Sequence, residues 1–176
     1  MKTLAFIFFG LYLSGCTLAP TKVIQEVGGD RNKSDLLADT REALEYSTYH
    51  ISGSVSLNSE DFLILKDPAT RTRILDPDTE QIVERLARRG IHPGVKVTLI
   101  GSESNSVENL KWKWLLSKLN VRDVELISLD DFIRLHTPLR PRPEVEPVPV
   151  WTGYSLNEIQ KLSDQCFVAW TEDKCK

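Results

Sequence analysis

Cysteine and histidine are scarce in this chain of 176 residues: Cys16, Cys166 and Cys175 are its thiols, and His50, His92 and His136 its imidazoles. The histidines lie far apart, with no acidic or thiol companion at ligand spacing, so no metal site is expected and no cofactor is invoked. An excess of one charge is lacking too. Lys and Arg total 22 against 25 Asp and Glu, for a net charge of −3. Both signs are interspersed, which argues against a nucleic-acid partner and against a polybasic membrane patch. No repeat of roughly 20–50 residues is visible. These absences leave one domain of ordinary size, long enough to bury a hydrophobic core.

Lys2 stands before an apolar run, Leu4 to Leu13, and small residues follow it in Leu13-Ser14-Gly15-Cys16. A basic residue, a short apolar stretch and a small-residue cleavage point describe a secretory signal rather than a spanning helix. The Leu-Ser-Gly-Cys ending resembles a bacterial lipobox. That resemblance implies that residues 1–15 are a lipoprotein signal peptide, and that Cys16 is acylated and becomes the first mature residue. Loss of Lys2 leaves 21 basic against 25 acidic residues, a mature charge of −4. Thr17 follows Cys16, where the lipoprotein resemblance would have aspartate signal inner-membrane retention. The expected address is therefore the cell envelope: for a Gram-negative source an outer-membrane anchor with the domain facing the periplasm, surface exposure being the open alternative. Cys166 and Cys175 sit close together in the C-terminal tail, and in an oxidising compartment they read as a disulfide. A redox-active or metal-binding pair is the competing reading.

Residues 16–33 are polar and glycine-containing, as a tether would be. Leu36-Leu37-Ala38 reads as a buried strand, Arg41 to Tyr46 as a brief helix, and His50 to Leu57 as a turn into an extended segment. Asp76-Pro77-Asp78 reads as a helix start, with Asp76 as cap and Pro77 at the first helical position. Ile82, Val83, Leu86 and Ala87 then fall on one face, and Gly90 is placed to end the helix. Val95 to Ile100 predicts a strand and Val107 to Leu119 a helix ended by Asn120. In that helix Trp112 and Trp114 point apart, one into the core and the other free to be a contact residue. Val124 to Ile127 is the next strand, and Asp130 caps a helix over Asp131 to Leu135. Alternating strands and helices predict a parallel, helix-covered α/β sheet. Pro138, Pro141, Pro143, Pro147 and Pro149 make an extended, polyproline-like strap, although a proline-rich ligand for a partner is the other possibility. Ser155 with Glu158 then has a capping-box pattern ahead of Leu156, Ile159 and Leu162. Trp151, Tyr154, Phe167 and Trp170 give the tail apolar groups to bury.

Two segments carry a family resemblance in combination. One is Asp39-Thr40-Arg41-Glu42 with His50-Ile51-Ser52-Gly53-Ser54; the other runs from Gly90-Ile91-His92-Pro93-Gly94 through Val95 to Ile100. Asn109 to Val121, with Trp112-Lys113-Trp114-Leu115-Leu116, adds a third piece. Together they resemble the rhodanese-like (sulfurtransferase-type) domain, with the domain at residues 34–136 and an extension at 137–176. The resemblance implies a parallel sheet flanked by helices and, at the end of the strand before the loop, a cysteine that carries persulfide sulfur. In such a site the loop's N–H groups and the next helix N-terminus stabilise the anionic sulfur.

Here Gly101 stands at that position, and the loop is Ser102-Glu103-Ser104-Asn105-Ser106-Val107, with no arginine to recognise an oxyanion. Glu103 is expected to place negative charge where the anion would sit. Two unit charges 4 Å apart interact by about 4 kcal/mol at an effective dielectric of 20, here with the wrong sign. Serine chemistry with His50 as base would also need an orienting acid and an oxyanion hole; turn and cap duty explains Ser102, Ser104 and Ser106 more simply. In the family His50 is best read as packing the loop after the first strand. The expectation is therefore a catalytically inactive rhodanese-like lipoprotein, a binding or structural module at the envelope. Its degenerate loop (Gly101 to Ser106) would offer polar contacts to an envelope protein partner or a small ligand. The alternative is a residual or diverged sulfurtransferase with another nucleophile.

Overall fold

The computed structural model describes residues 36–137, 139 and 144–175. Strands β1 (Leu36–Asp39), β2 (Val55–Ser56), β5 (Val97–Gly101) and β6 (Val124–Ser128) form one parallel sheet in the order β2-β1-β5-β6. Leu36 to Asp39 pair with Val97 to Ile100, and Val97 to Gly101 with Val124 to Ser128. Both central strands are buried along their length. A central parallel strand has apolar neighbours on both faces, which is why these segments read as continuous apolar runs.

The two-residue side-chain period divides the core. Leu36, Ala38, Val97 and Leu99 face the larger cluster, with helices α2 (Thr79–Arg88) and α3 (Val107–Lys118). Leu37 and Ile100 turn to the other side, against Ile51 and Phe132 of helix α4 (Leu129–His136). The α/β expectation stands. An antiparallel hairpin, β3 (Leu63–Asp67) with β4 (Thr72–Leu75), was not anticipated by the sequence reading. Leu65 is exposed and the Leu63–Asp67 stretch is not buried at any position, so no clear in–out alternation announces it.

Several local expectations are corrected. Helix α1 spans Ala43–Thr48, two residues later than expected, because Arg41 is engaged in a turn in which its N–H meets Asp39 Oδ1 at 3.1 Å. Asp78, not Asp76, caps α2, accepting from the N–H groups of Glu80 and Gln81. Asp76 instead accepts from the Asp78 N–H and pairs with Arg85 at 2.9 Å. Ser128, not Asp130, caps α4. Ser155 precedes helix α5 (Leu156–Ser163) without a side-chain cap bond, and Glu158 pairs with Lys118 at 2.5 Å rather than closing a capping box. Gly90 and Asn120 do end their helices, with φ of 72° and 67°.

Trp112 and Trp114 are both buried, at 0% and 5% exposure, so neither is the exposed residue expected, although an edge of Trp114 lines a groove beside α3. They do point apart. Trp112 meets Phe62 and Phe167 edge-on, with centroids 4.8 and 5.0 Å apart, while the tail covers Trp114. Ile159, Cys166, Phe167 and Cys175 belong to the same core cluster as the sheet. The extension thus completes the core. Its strap crosses the ends of α2 and α3: Val148 N–H donates to the Ala87 carbonyl, Trp151 Nε1 to Leu119 and Ser155 N–H to Lys118. Val145 fills the space beside Gly90, where a Cβ would come within 2.5 Å of its Cγ1. A five-residue π-helical turn (Asp164–Val168) follows α5, and the four-residue α6 (Glu172–Cys175) is bonded back to it through Cys166–Cys175, with S–S 1.99 Å.

Asn32–Lys176 forms a compact unit by itself, and it contains the described sheet, core clusters and disulfide. No helix among the described residues is long and apolar enough to cross a membrane. Cys16, the apolar Leu4–Leu13 run and the tether lie outside the described residues, as do Pro138, Pro141 and Pro143.

Candidate functional site

The C-terminal ends of β1 and β5 carry the chemistry-bearing residues to one edge of the sheet, as ligand sites in open parallel sheets require. Thr40 and Arg41 leave β1, and Gly101 ends β5. A cleft of about 260 Å³ opens between them, lined by Thr40, Arg41, Glu42, Glu45, Gly101, Ser102, Ser106, Val107 and Glu108. None of these residues comes from the extension. The described part of the tail packs elsewhere, and none of its residues lines this cleft.

Asn109 organises the floor. It lies three residues into α3, on the stripe shared with Trp112 and Leu116, and is fully buried. Its Oδ1 accepts from the Thr40 hydroxyl at 2.6 Å, and that hydroxyl also lies 3.1 Å from the Ile100 carbonyl. Its Nδ2 donates to the carbonyls of Ser104 and Glu103 at 3.0 and 3.3 Å. Ser106 Oγ caps α3 by accepting from the Asn109 N–H, and the Ser106 N–H donates to the Glu103 carbonyl. The loop thus turns carbonyl oxygens inward onto one amide. Two donors near the helix start, the Ser106 and Asn109 N–H groups, are used within the protein. A site for an anion needs the opposite polarity.

Gly101 has no room for a side chain. A Cβ there would lie 2.6 Å from Ser106 Oγ, 2.7 Å from Asn109 Nδ2 and 2.8 Å from the Glu103 carbonyl oxygen. All are closer than van der Waals contact, and the last is backbone. Its φ is not in the left-handed region, so the requirement for glycine is steric.

The charge of the cleft is negative. Arg41 is committed to the buried Asp39 through Nε–Oδ1 and Nη2–Oδ2 bonds of 3.0 and 2.7 Å, and it also donates to the Tyr49 carbonyl. The hydrogen bonds to Asp39 hold its guanidinium pKa above the usual value, so it stays charged and paired. Glu42, Glu45 and Glu108 remain on the walls. Glu108 Oε1 pairs with Lys111 at 2.8 Å, while its Oε2 is buried without a hydrogen-bond partner.

Of the residues singled out from sequence, Gly101, Ser102 and Ser106 line the cleft. Glu103, Ser104 and Asn105 do not, and the Glu103 side chain is exposed outside it. The expected negative charge is present but comes from Glu42, Glu45 and Glu108. His50 is exposed, stacks on Tyr46 at 4.2 Å and contacts the Tyr46 carbonyl, which matches a role in packing the loop after β1. Asn109 and Thr40 were missed. The available signal was a polar residue on the i, i+3, i+7 stripe of an otherwise apolar helix face. Among the described residues no group of three or more His, Cys, Asp or Glu is arranged to hold a metal ion.

The family model for the rhodanese-like domain matches residues 20–129, starting ahead of the boundary expected from sequence and ending in α4. No curated protein matches the chain significantly. The parallel sheet flanked by helices agrees with that match, and the chain belongs to the rhodanese-like domain family.

Proposed function

We propose that this protein is a rhodanese-like domain without sulfurtransferase activity, held at the bacterial cell envelope by a lipid on Cys16 and acting there as a binding or structural module. The observation that carries this reading is the filled space at Gly101. The position where the family resemblance calls for a persulfide-bearing cysteine is closed on three sides by Ser106, Asn109 and the Glu103 carbonyl. Inward-facing carbonyls and the acidic wall of Glu42, Glu45 and Glu108 add a field unsuited to thiosulfate or persulfide anions. Cys166 and Cys175, the thiols among the described residues, are spent on each other, which leaves the alternative of a substitute cysteine nucleophile without support. This cleft, which no described residue of the extension lines, is the natural contact surface for a partner, with Glu42, Glu45 and Ser102 among its lining residues.

Anchoring is tested by metabolic labelling with palmitate. The native chain should incorporate label and partition with outer-membrane fractions, and Cys16→Ser should do neither; label retained by Cys16→Ser would refute the anchor.

A further inference from the structure

A second concavity of about 480 Å³ runs along the outer side of α3, against the disulfide-closed C-terminal segment. Its size falls within the range of small-molecule sites. Leu110, Trp114, Leu162 and Trp170 make its floor, and Lys113, Lys118 and Lys174 stand around it. No acidic residue lines it. Lys118 is paired with Glu158, but Lys113 and Lys174 are exposed and have no ion pair among the described residues. We propose that this groove binds a single-chain amphiphilic anion, an acyl carboxylate whose chain lies along Leu110, Leu162 and Trp170 and whose head group meets Lys113 and Lys174.

Complementarity of shape and charge selects this ligand. An apolar trough open to water favours any apolar body, so the floor alone selects nothing. The rim does select: the Lys113 and Lys174 ammonium groups, with no carboxylate lining the groove, favour an anionic head and disfavour a cationic one. The concave shape suits one chain rather than a flat protein face or a bilayer. One wall, Lys174 with Cys175, belongs to a four-residue helix held in place by the bond to Cys166. Reduction of that bond should therefore release the wall and weaken binding. The proposal does not rest on the reading of the Gly101 cleft, and either can fail alone.

The test uses residues 32–176 with the disulfide intact and follows tryptophan emission and titration heat. The probe is dodecanoate below its micelle threshold; dodecyltrimethylammonium is the opposite-charge control. Saturable one-to-one binding of dodecanoate with a blue shift is expected, and the cationic probe should bind at least about tenfold more weakly. The Lys113→Glu, Lys174→Glu double variant should keep the native melting temperature and lose at least about tenfold in dodecanoate affinity. Reductant should weaken binding while the near-ultraviolet spectrum of the remaining core persists. The proposal is overturned if dodecanoate does not saturate, if both head groups bind equally, or if the double variant binds as well as the native sequence. It is overturned equally if only anionic phospholipid vesicles are bound, or if the lysine changes act solely by altering self-association in sedimentation.

Discussion

Replacing Gly101 by alanine isolates the steric claim from any question of chemistry. At a glycine whose backbone suits any residue and whose surroundings are open, alanine stabilises a protein by about 0.4–1 kcal/mol, because it restricts the unfolded chain. Gly101 has such a backbone, but its Cβ direction holds Ser106 Oγ, Asn109 Nδ2 and the Glu103 carbonyl at 2.6, 2.7 and 2.8 Å. A methyl group placed there must push the loop or helix α3 outward, and overpacking of this kind costs roughly 1–3 kcal/mol. For a unit of roughly 150 residues that lowers the melting temperature by about 3–10 °C. The sign of the change is therefore the readout. Thermal unfolding of Gly101→Ala, of Asn109→Ala and of the double variant should show all three destabilised. The double variant should lose less than the sum of the single losses, because part of the clash leaves with the Asn109 amide; couplings between contacting residues are about 0.5–3 kcal/mol. A Gly101→Ala protein as stable as the native one, or more so, would refute the reasoning.

Three further outcomes are expected. Arg41→Met strands the fully buried Asp39 carboxylate, which loses its bidentate partner, and chemical denaturation should show a loss of about 3–5 kcal/mol. Breaking the Cys166–Cys175 bond, with its sequence separation of 9, should cost about 2–3 kcal/mol by chain entropy; free-thiol labelling without reductant should fail in the native protein. The Asp67 carboxylate is held below its ordinary pKa by the Thr70 hydroxyl and the Ala69 N–H. Because its folded pKa is the lower one, its stabilisation is present above the unfolded carboxylate range and is lost as pH falls through the folded value. The Ala69 amide resonance should report that acidic titration, and Asp67→Asn should abolish it.

The buried strands were legible because each is a short, mainly apolar run, and Leu36-Leu37-Ala38 and Val97 to Ile100 are buried on both faces as such runs require. Gly90 was legible as a helix end because only one residue type takes its positive φ freely. Caps were less so. At Asp76-Pro77-Asp78 either aspartate satisfies the local rule, and the Arg85 partner that recruits Asp76 lies nine residues away. The fate of Trp114 depended on the tail folding back over α3, a contact between distant segments that periodicity cannot reveal. At the site, the importance of Gly101 could be read from its place at the end of β5, but its reason could not. Asn109, eight positions on, fills the space, and a helix-stripe reading treats it as one polar interruption.

The central claim is that this cleft has no atom able to hold transferable sulfur. Residues 32–176 should be incubated with thiosulfate, assayed for sulfur transfer to cyanide, and weighed intact by mass spectrometry. The account predicts no thiocyanate above the uncatalysed background and no mass increase, for the native sequence and for Gly101→Cys alike, since the cysteine would have to displace the Asn109-tied loop. Thiocyanate turnover accompanied by one added sulfur on the native protein would contradict it.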